Sequence, residues 1–527
     1  MKNVEIKKVV NYSVIAFFLI ILSYFLLRFF IHQSNIIFFP TFILAAILFA
    51  VSIFSLETSL LVFIFFIPLL NSLHVILKNT SFHVIYFLFL GLFLGSLINL
   101  VKKNKSLMYF QHRIYSPALI FIVLSLVSFV FTAGRLINFY PFTGDRISVF
   151  TVNVLGWSNM SALLFLIPSF LNYFSGFLLF FIVINICINK RFINHFFYSL
   201  ASSFFIVFSV GLYQVLVNPG FGNLDYWINS GRINATLIDP NSLGSYTFIL
   251  FPIFIGFGYY FWGDRKYLSA ISFILNLLVI ILMFYSGSRT GFLGAIIVVV
   301  FYFTYLGFIL FRRIFVKLRI KKALLNVVSG FIIVALLLLL LSGAVFLIKN
   351  INLSENSPVL LTRIKANIDS FGKEGFVSYV SSGRNVLWRQ AINMFLDYPI
   401  SGVGIGQFNV EISNYHFVKG SINNLVDIPN NFYLHIVSEM GILPLIIMIW
   451  FFVEVILSSV YVYRRIKNGR FKFLYLNFLL CFIVMLIICN FGPTIHFFEI
   501  QYMFFIIIGV LINFRINSIK SVFNCDE

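Results

Sequence analysis

The stretch from Val84 to Leu100 reads VIYFLFLGLFLGSLINL and carries no charged residue. A run of this length approaches the ~20 apolar residues that cross the hydrocarbon of a bilayer as a helix. Val14 to Phe30 and Phe331 to Ile348 are similar runs, and others recur along the whole chain. Composition agrees: 61% of the 527 residues are hydrophobic and 10% are charged. Soluble domains are roughly half apolar and about a quarter charged, and a soluble core cannot absorb so much apolar surface. No stretch stays polar long enough for a second globular domain. Residues 1–527 therefore read as one all-α, polytopic integral membrane domain of about fourteen transmembrane helices.

Apolar runs between polar breaks place helices near 9–30, 36–53, 58–76, 82–101, 115–133, 172–188, 195–217, 242–262, 267–285, 291–311, 323–348, 433–460, 473–490 and 498–515. Loops left in the cytoplasm should be rich in Lys and Arg. One alternating set is: Lys102, Lys103, Lys105 and Arg113; Lys190 and Arg191; Arg265 and Lys266; Arg312 to Lys322; and Arg464 to Lys472. With this set inside, both termini are cytoplasmic. Segments 134–171, 218–241, the tight turn 286–290 and a large loop at 349–432, carrying short helices, are then external.

The net charge of +20 is what positive-inside loops produce, and calls for no nucleic-acid partner. Cys187, Cys481, Cys489 and Cys525 show no paired spacing in an external loop, so neither a disulfide framework nor a zinc site is expected. Lys2, Lys7 and Lys8 precede an apolar run without a small-residue cleavage site, which reads as a retained first helix.

Three of the arginines on the external side, which run against the positive-inside bias, stand out by their setting. Arg232 follows Ser230-Gly231 and precedes Asp239-Pro240-Asn241, where Asp239 to Asn241 also suit a helix cap. Arg289 lies in Ser286-Gly287-Ser288-Arg289-Thr290-Gly291, a hairpin so short that its guanidinium must sit at the membrane surface. Snorkelling to lipid headgroups is one explanation and a bound anion is the other. Arg384 opens a helix with an apolar stripe of Leu387, Ala391, Met394, Phe395 and Tyr398, ended by Pro399 and expected to lie on the membrane. At ~100° per residue Arg384 projects near that stripe and Arg389 away from it. Arg384 also occupies a first helical turn, which favours anions. The glycines of Gly402-Val403-Gly404-Ile405-Gly406 lack the strand and spacing of a dinucleotide loop and read as a flexible turn.

Taken together, Arg232 with Asp239-Pro240-Asn241, Gly287 to Gly291, Arg384 to Phe408 and Asn430 to Gly441 resemble the bacterial O-antigen polymerase and ligase family, over about residues 230–450. The most specific part is Arg384-x-x-x-Trp388, then Asp397-Tyr398-Pro399 and Gly402-Val403-Gly404. The resemblance implies a membrane glycosyltransferase-like fold in the cytoplasmic (inner) membrane with its active face external. It implies transfer of a glycan from undecaprenyl pyrophosphate to an acceptor hydroxyl, with no metal or nucleotide cofactor. A polymerase would use a second lipid-linked repeat unit of O-antigen, capsule or exopolysaccharide as acceptor, and a ligase the lipid A core. Membrane lipids and a chain-length regulator protein are the further partners implied.

A departing lipid pyrophosphate gains charge as the glycosidic bond breaks, and guanidinium forks bind phosphate oxygens bidentately. Arg232, Arg289 and Arg384 are the expected pyrophosphate ligands. The family's His-Asn-x-Tyr-Leu reads Asn430-Asn431-Phe432-Tyr433-Leu434 here, and asparagine cannot act as a general base. His416, His435 and Glu439 are the candidate replacements, and the departure tilts the reading toward a polymerase. A lipid-linked oligosaccharide flippase is the competing class, but its basic residues should line a central cavity and not external turns.

Overall fold

The computed structural model describes residues 38–69, 84–103, 113–138, 159–317, 350, 359–369, 384–415, 428–492 and 494–517. The helices expected at 9–30 and 323–348 lie outside these residues, as does His416. Among the described residues ten helices are long and apolar enough to cross a membrane, and two shorter apolar helices join them. The protein is a multi-pass, all-helical membrane protein. The ten are consistent with the larger number expected.

The chain begins its described path with two short apolar helices, α1 (Phe38–Phe54) and α2 (Leu56–Phe66), separated by the N-cap Ser55. Spans α3 (Val84–Lys102), α4 (Tyr115–Asn138), α5 (Asn159–Ile184) and α6 (Lys190–Leu216) follow. A one-turn helix, α7 (Asp225–Asn229), precedes α8 (Pro240–Phe261), α9 (Lys266–Ser286) and α10 (Arg289–Lys317). The large loop supplies α11 (Val359–Asp369), α12 (Arg384–Asp397) and the short α13 (Phe408–Glu411). Then come α14 (Phe432–Met440), α15 (Ile442–Arg465), α16 (Gly469–Ile488) and α17 (Phe498–Asn517).

Burial sorts the spans into layers. In α8 and α17 the apolar window is 89% and 94% buried, whereas in α4 and α10 it is 28% buried. The first pair forms the interior and the second turns its side chains toward lipid, with Val130 and Phe131 exposed. α8 packs on α9, α10 and α16, and α17 packs on α5. Lipid tails are as apolar as leucine, so close approach through small residues must supply much of the association between helices. The α8–α10 crossing is such a place: a Cβ on Gly244 would fall 2.2 Å from Ser288 Cβ, and one on Gly291 2.5 Å from Gly244 O. Gly244→Leu should therefore force α10 away, lower the melting temperature of the purified protein and disturb the 286–291 turn. An unchanged melting curve would refute this packing account.

The polar ends divide as the alternation of basic loops requires. At one end Asp264 bridges Arg470 at 2.8 Å and Lys190 at 3.6 Å, joining three of the basic loops. At the other, Arg135 reaches Val403 O at 2.7 Å, Arg232 reaches Ser286 O at 2.8 Å and Arg363 reaches Gly287 O at 2.7 Å. Segments separated by over two hundred residues are thus gathered on one face.

Three local expectations change, the first being that the helix placed at 172–188 begins at Asn159, inside the segment 134–171 read as a loop. The run 433–460 is not one helix but α14 and α15, divided at Gly441. That residue has φ +82°, a Cβ there would sit 2.1 Å from Ile400 O, and the next amide bonds Pro399 O at 2.9 Å. Only glycine suits this left-handed, crowded position. The stripe of α12 does not lie on the membrane: Leu387, Ala391 and Met394 form a separate small core with Val403, Phe408 and Ile412, while Tyr398 is exposed.

Candidate functional site

Asp239 accepts the Ser242 amide at 2.7 Å and Pro240 takes the first helical position, so the start of α8 is a capped helix end as its residues suggest. Asn241 projects back and accepts from Arg232 at 2.9 Å. Arg232 also stacks on Trp227, its guanidinium 4.9 Å from the ring centroid, and donates Nε–H to Ser286 O, at the C-terminal end of α9. A helix C-terminus favours cations, and the Gly287 carbonyl of the same turn accepts from Arg363 of α11. Val359 of α11 packs into the same corner, within reach of Gly231 and Gly287.

Arg232 is 5% exposed, and its two hydrogen bonds among the described residues go to neutral oxygens. Burial, joined by the charges of Arg363 and Arg384 and opposed by Asp239, pushes its guanidinium down to about 9. At neutral pH it keeps its charge against surroundings that disfavour it. A guanidinium has five N–H donors, so two bonds do not exhaust it. Such a group gains most when an anion arrives. Because only the protonated form attracts an anion, affinity for inorganic pyrophosphate should fall as pH rises through about 9. Thermal-shift titration checks this; affinity unchanged across that range would contradict it.

Arg384 begins α12 and donates to Phe491 O, in the turn between α16 and α17. Arg389 is exposed on the opposite face, as its helical angle implies. Arg289 is the first residue of α10, partly buried, two positions from the glycine against which Arg232 lies. The structure thus brings Arg232 and Arg384 within electrostatic reach and adds Arg363, while Arg289 opens the adjoining helix. Arg363 escaped sequence reasoning. A basic residue on an external segment was its only signal, without the flanking motif that singled out the other three.

The second group of residues hangs from the same turn. Phe432 N bonds Cys489 O at 2.9 Å and Asn431 Nδ2 bonds Asn490 O at 3.2 Å, so the start of α14 is tied to residues 489–491. Asn431 also caps α14, accepting from Tyr433 and Leu434 at 3.0 Å each. Asn430 takes a left-handed φ of +54° and bonds Ile428 O. The two asparagines thus shape the entry to α14.

One helical turn apart, His435 Nε2 and Glu439 Oε1 lie 3.0 Å apart. Glu439 is 1% exposed and accepts the Gly406 amide at 2.9 Å and the Phe408 amide at 3.2 Å. Val403 and Gly404 amides bond Ser438 O and Glu439 O, both at 2.9 Å. The glycine run is therefore a clamped loop and not a flexible turn. On its other side His435 Nδ1 is 3.1 Å from both ring nitrogens of His496. His496, between α16 and α17, was not among the sequence candidates; its signal was a lone histidine closing a Gly-Pro-Thr break between two apolar runs. The protein packed around this half-buried ring strips much of its hydration and, with His435 beside it, holds the imidazole well below the usual histidine range.

Chemically, one face of the membrane domain thus carries a cationic corner fit for a multiply charged anion and, joined to it through residues 489–491, a carboxylate–imidazole–imidazole row fit to move a proton. Residues 274–449 match the family model described as O-Antigen ligase. The match includes Arg289, Arg384, His435 and Glu439, and leaves Arg232 and His496 outside it. No curated protein matches the chain.

Proposed function

We propose that this chain, a member of the O-antigen ligase/polymerase family, transfers a glycan from a lipid pyrophosphate to an acceptor hydroxyl at the outer face of the cytoplasmic membrane. The carrier is undecaprenyl pyrophosphate and the reaction joins repeat units of O-antigen, capsule or exopolysaccharide. The observation that carries this reading is the gathering of Arg232, Arg363 and Arg384 from separate segments around one helical hairpin. Arg232, Arg289 and Arg384 hold the pyrophosphate, whose growing charge they stabilise as the anomeric C–O bond breaks. The acceptor's proton passes to the His435–Glu439 pair; His416, the other candidate, adjoins the described end of the loop. A chain-length regulator protein is the partner this reaction would take.

The ligase reading is favoured by the description of the matching family model, and would exchange the lipid-linked acceptor for the lipid A core. Deleting the gene separates the two: single repeat units on the core mean a lost polymerase, and polymer stranded on its carrier a lost ligase. A flippase is disfavoured because the arginines crowd one end of the helices.

Single alanine variants of Arg232, Arg289 and Arg384 should shorten or abolish polymer on a gel, with Arg389→Ala as the unaffected control. Full-length polymer from all three would refute the assignment. A reporter fused after Lys373 should prove external, and a cytoplasmic result would overturn the sidedness.

A further inference from the structure

Within the row Glu439–His435–His496, exposure rises in one direction. Glu439 is 1% exposed and His435 7%, and both are closed in by protein; His496 alone is only partly buried. The two inner residues are the ones the glycan-transfer reading assigns to proton acceptance, yet neither is open to a sugar hydroxyl. The contacts also set a direction for the proton. A carboxylate only accepts, so with the His435 ring neutral its hydrogen sits on Nε2, toward Glu439. Nδ1 then offers a lone pair to His496. That atom is equidistant from both His496 nitrogens, so either one is close enough to be its donor, according to the tautomer.

The surroundings are polar where a membrane interior would be apolar. Asn172 Nδ2 reaches His496 O at 3.4 Å, and Gln501 Nε2 reaches Asn172 O at 2.6 Å. Tyr173, neighbour of Asn172 on α5, lies within electrostatic reach of Glu439. The Tyr173 and Thr494 hydroxyls are buried with no hydrogen-bond partner among the described residues. Buried polar atoms are nearly always satisfied, and an ordered water is the usual partner of such an orphan. Three residues beyond His496, Glu499 in the first turn of α17 accepts from Ile238 N at 3.3 Å and Ser242 Oγ at 3.4 Å.

We infer that His496 is the base that meets the acceptor hydroxyl, and that His435 and Glu439 are positioning residues behind it, forming a proton relay across α14. The inference rests on the glycan-transfer reading and names the residue that reading lacked. As the acceptor oxygen bonds the anomeric carbon, the C–O bond to pyrophosphate breaks and its electron pair leaves with the phosphate. The hydroxyl proton goes to one nitrogen of His496, and the hydrogen on its other nitrogen passes to His435 Nδ1. The resulting imidazolium charge comes to rest 3.0 Å from the Glu439 carboxylate. After product departs, the relay runs backward and His496 releases the proton to water. The division of labour follows the logic by which a buried carboxylate orients a catalytic imidazole.

The test uses the full chain in membranes of a host deleted for the gene, reading conversion of the host's own lipid-linked glycan. His496→Gln keeps a polar donor beside His435 but no base, and should lose at least about 100-fold in rate. His496→Gly should recover when imidazole is added, which a merely structural histidine would not. Full rate in His496→Gln, or no imidazole recovery of His496→Gly at wild-type abundance, overturns the relay. If His496→Gln is active while Arg232→Ala and Arg384→Ala are inactive, the relay alone fails; if all three are active, the transfer reading fails with it. Should the variants not accumulate, nitrogen NMR of histidine-labelled wild-type protein in nanodiscs decides. A hydrogen-bond coupling between the His435 and His496 rings is expected, and its absence overturns the proposal.

Discussion

Replacing Arg232 with alanine should lower glycan transfer by about 100- to 1,000-fold, the usual consequence of removing one preorganised donor from a developing anion. Lysine should not restore it, because an ammonium cannot reproduce a planar fork held simultaneously by Ser286 O, Asn241 Oδ1 and the Trp227 face. Stability should not follow activity. The guanidinium is buried among like charges, which its downward shift to about 9 reflects, so the resting protein bears a cost that substrate binding relieves. Arg232→Met, apolar and of similar length, should melt at or above the wild-type temperature while remaining inactive. Normal transfer by Arg232→Met would remove this residue from the site; a collapse in melting temperature would make it a structural cap of α9.

Glu439→Ala should have the largest effect on stability of any single change. One carboxylate accepts from Gly406 N, Phe408 N and His435 Nε2 in a place that is 1% exposed. Removing it leaves buried donors without an acceptor, and breaking a buried charged network from one side typically costs about 3–5 kcal/mol. Amide exchange at Gly406 and Phe408 should accelerate before global melting, since those amides lose their acceptor. Glu439→Gln retains a carbonyl oxygen and should cost less, about 1–3 kcal/mol. Melting and amide exchange of Glu439→Ala indistinguishable from wild type would disprove the clamp.

The helices were readable because a bilayer imposes a length and a polarity that survive in local sequence. The alternation of basic loops carried further still, since it separated the Asp264 end from the Arg232 end before any contact was known. What sequence could not hold was convergence. Nothing near Arg363 records that its partner is Gly287, and nothing near His496 records that His435 is its neighbour, because no periodicity spans such separations. The stripe of α12 had the correct residues at its centre and the wrong surroundings: an amphipathic helix declares that one face is buried, not whether lipid or protein covers it. The break at Gly441 was missed because the apolar run is continuous across it. Pro444, three residues on, was the available sign of a new helix start.

Only Gly287 and Ser288 separate α9 from α10, and this brevity fixes a height. A longer link could rise and fall with its cargo; this one holds the ends of two spans level and pins the Arg232 corner to them. On the proposed reading the hairpin is a depth stop. The pyrophosphate of every carrier would halt at the same plane, whatever sugars it bears, and the reacting carbon would stand a constant distance above the lipid. Discrimination among glycans would then belong to residues farther out, so exchanging the outer loop should change which sugars are joined without moving where the bond is made.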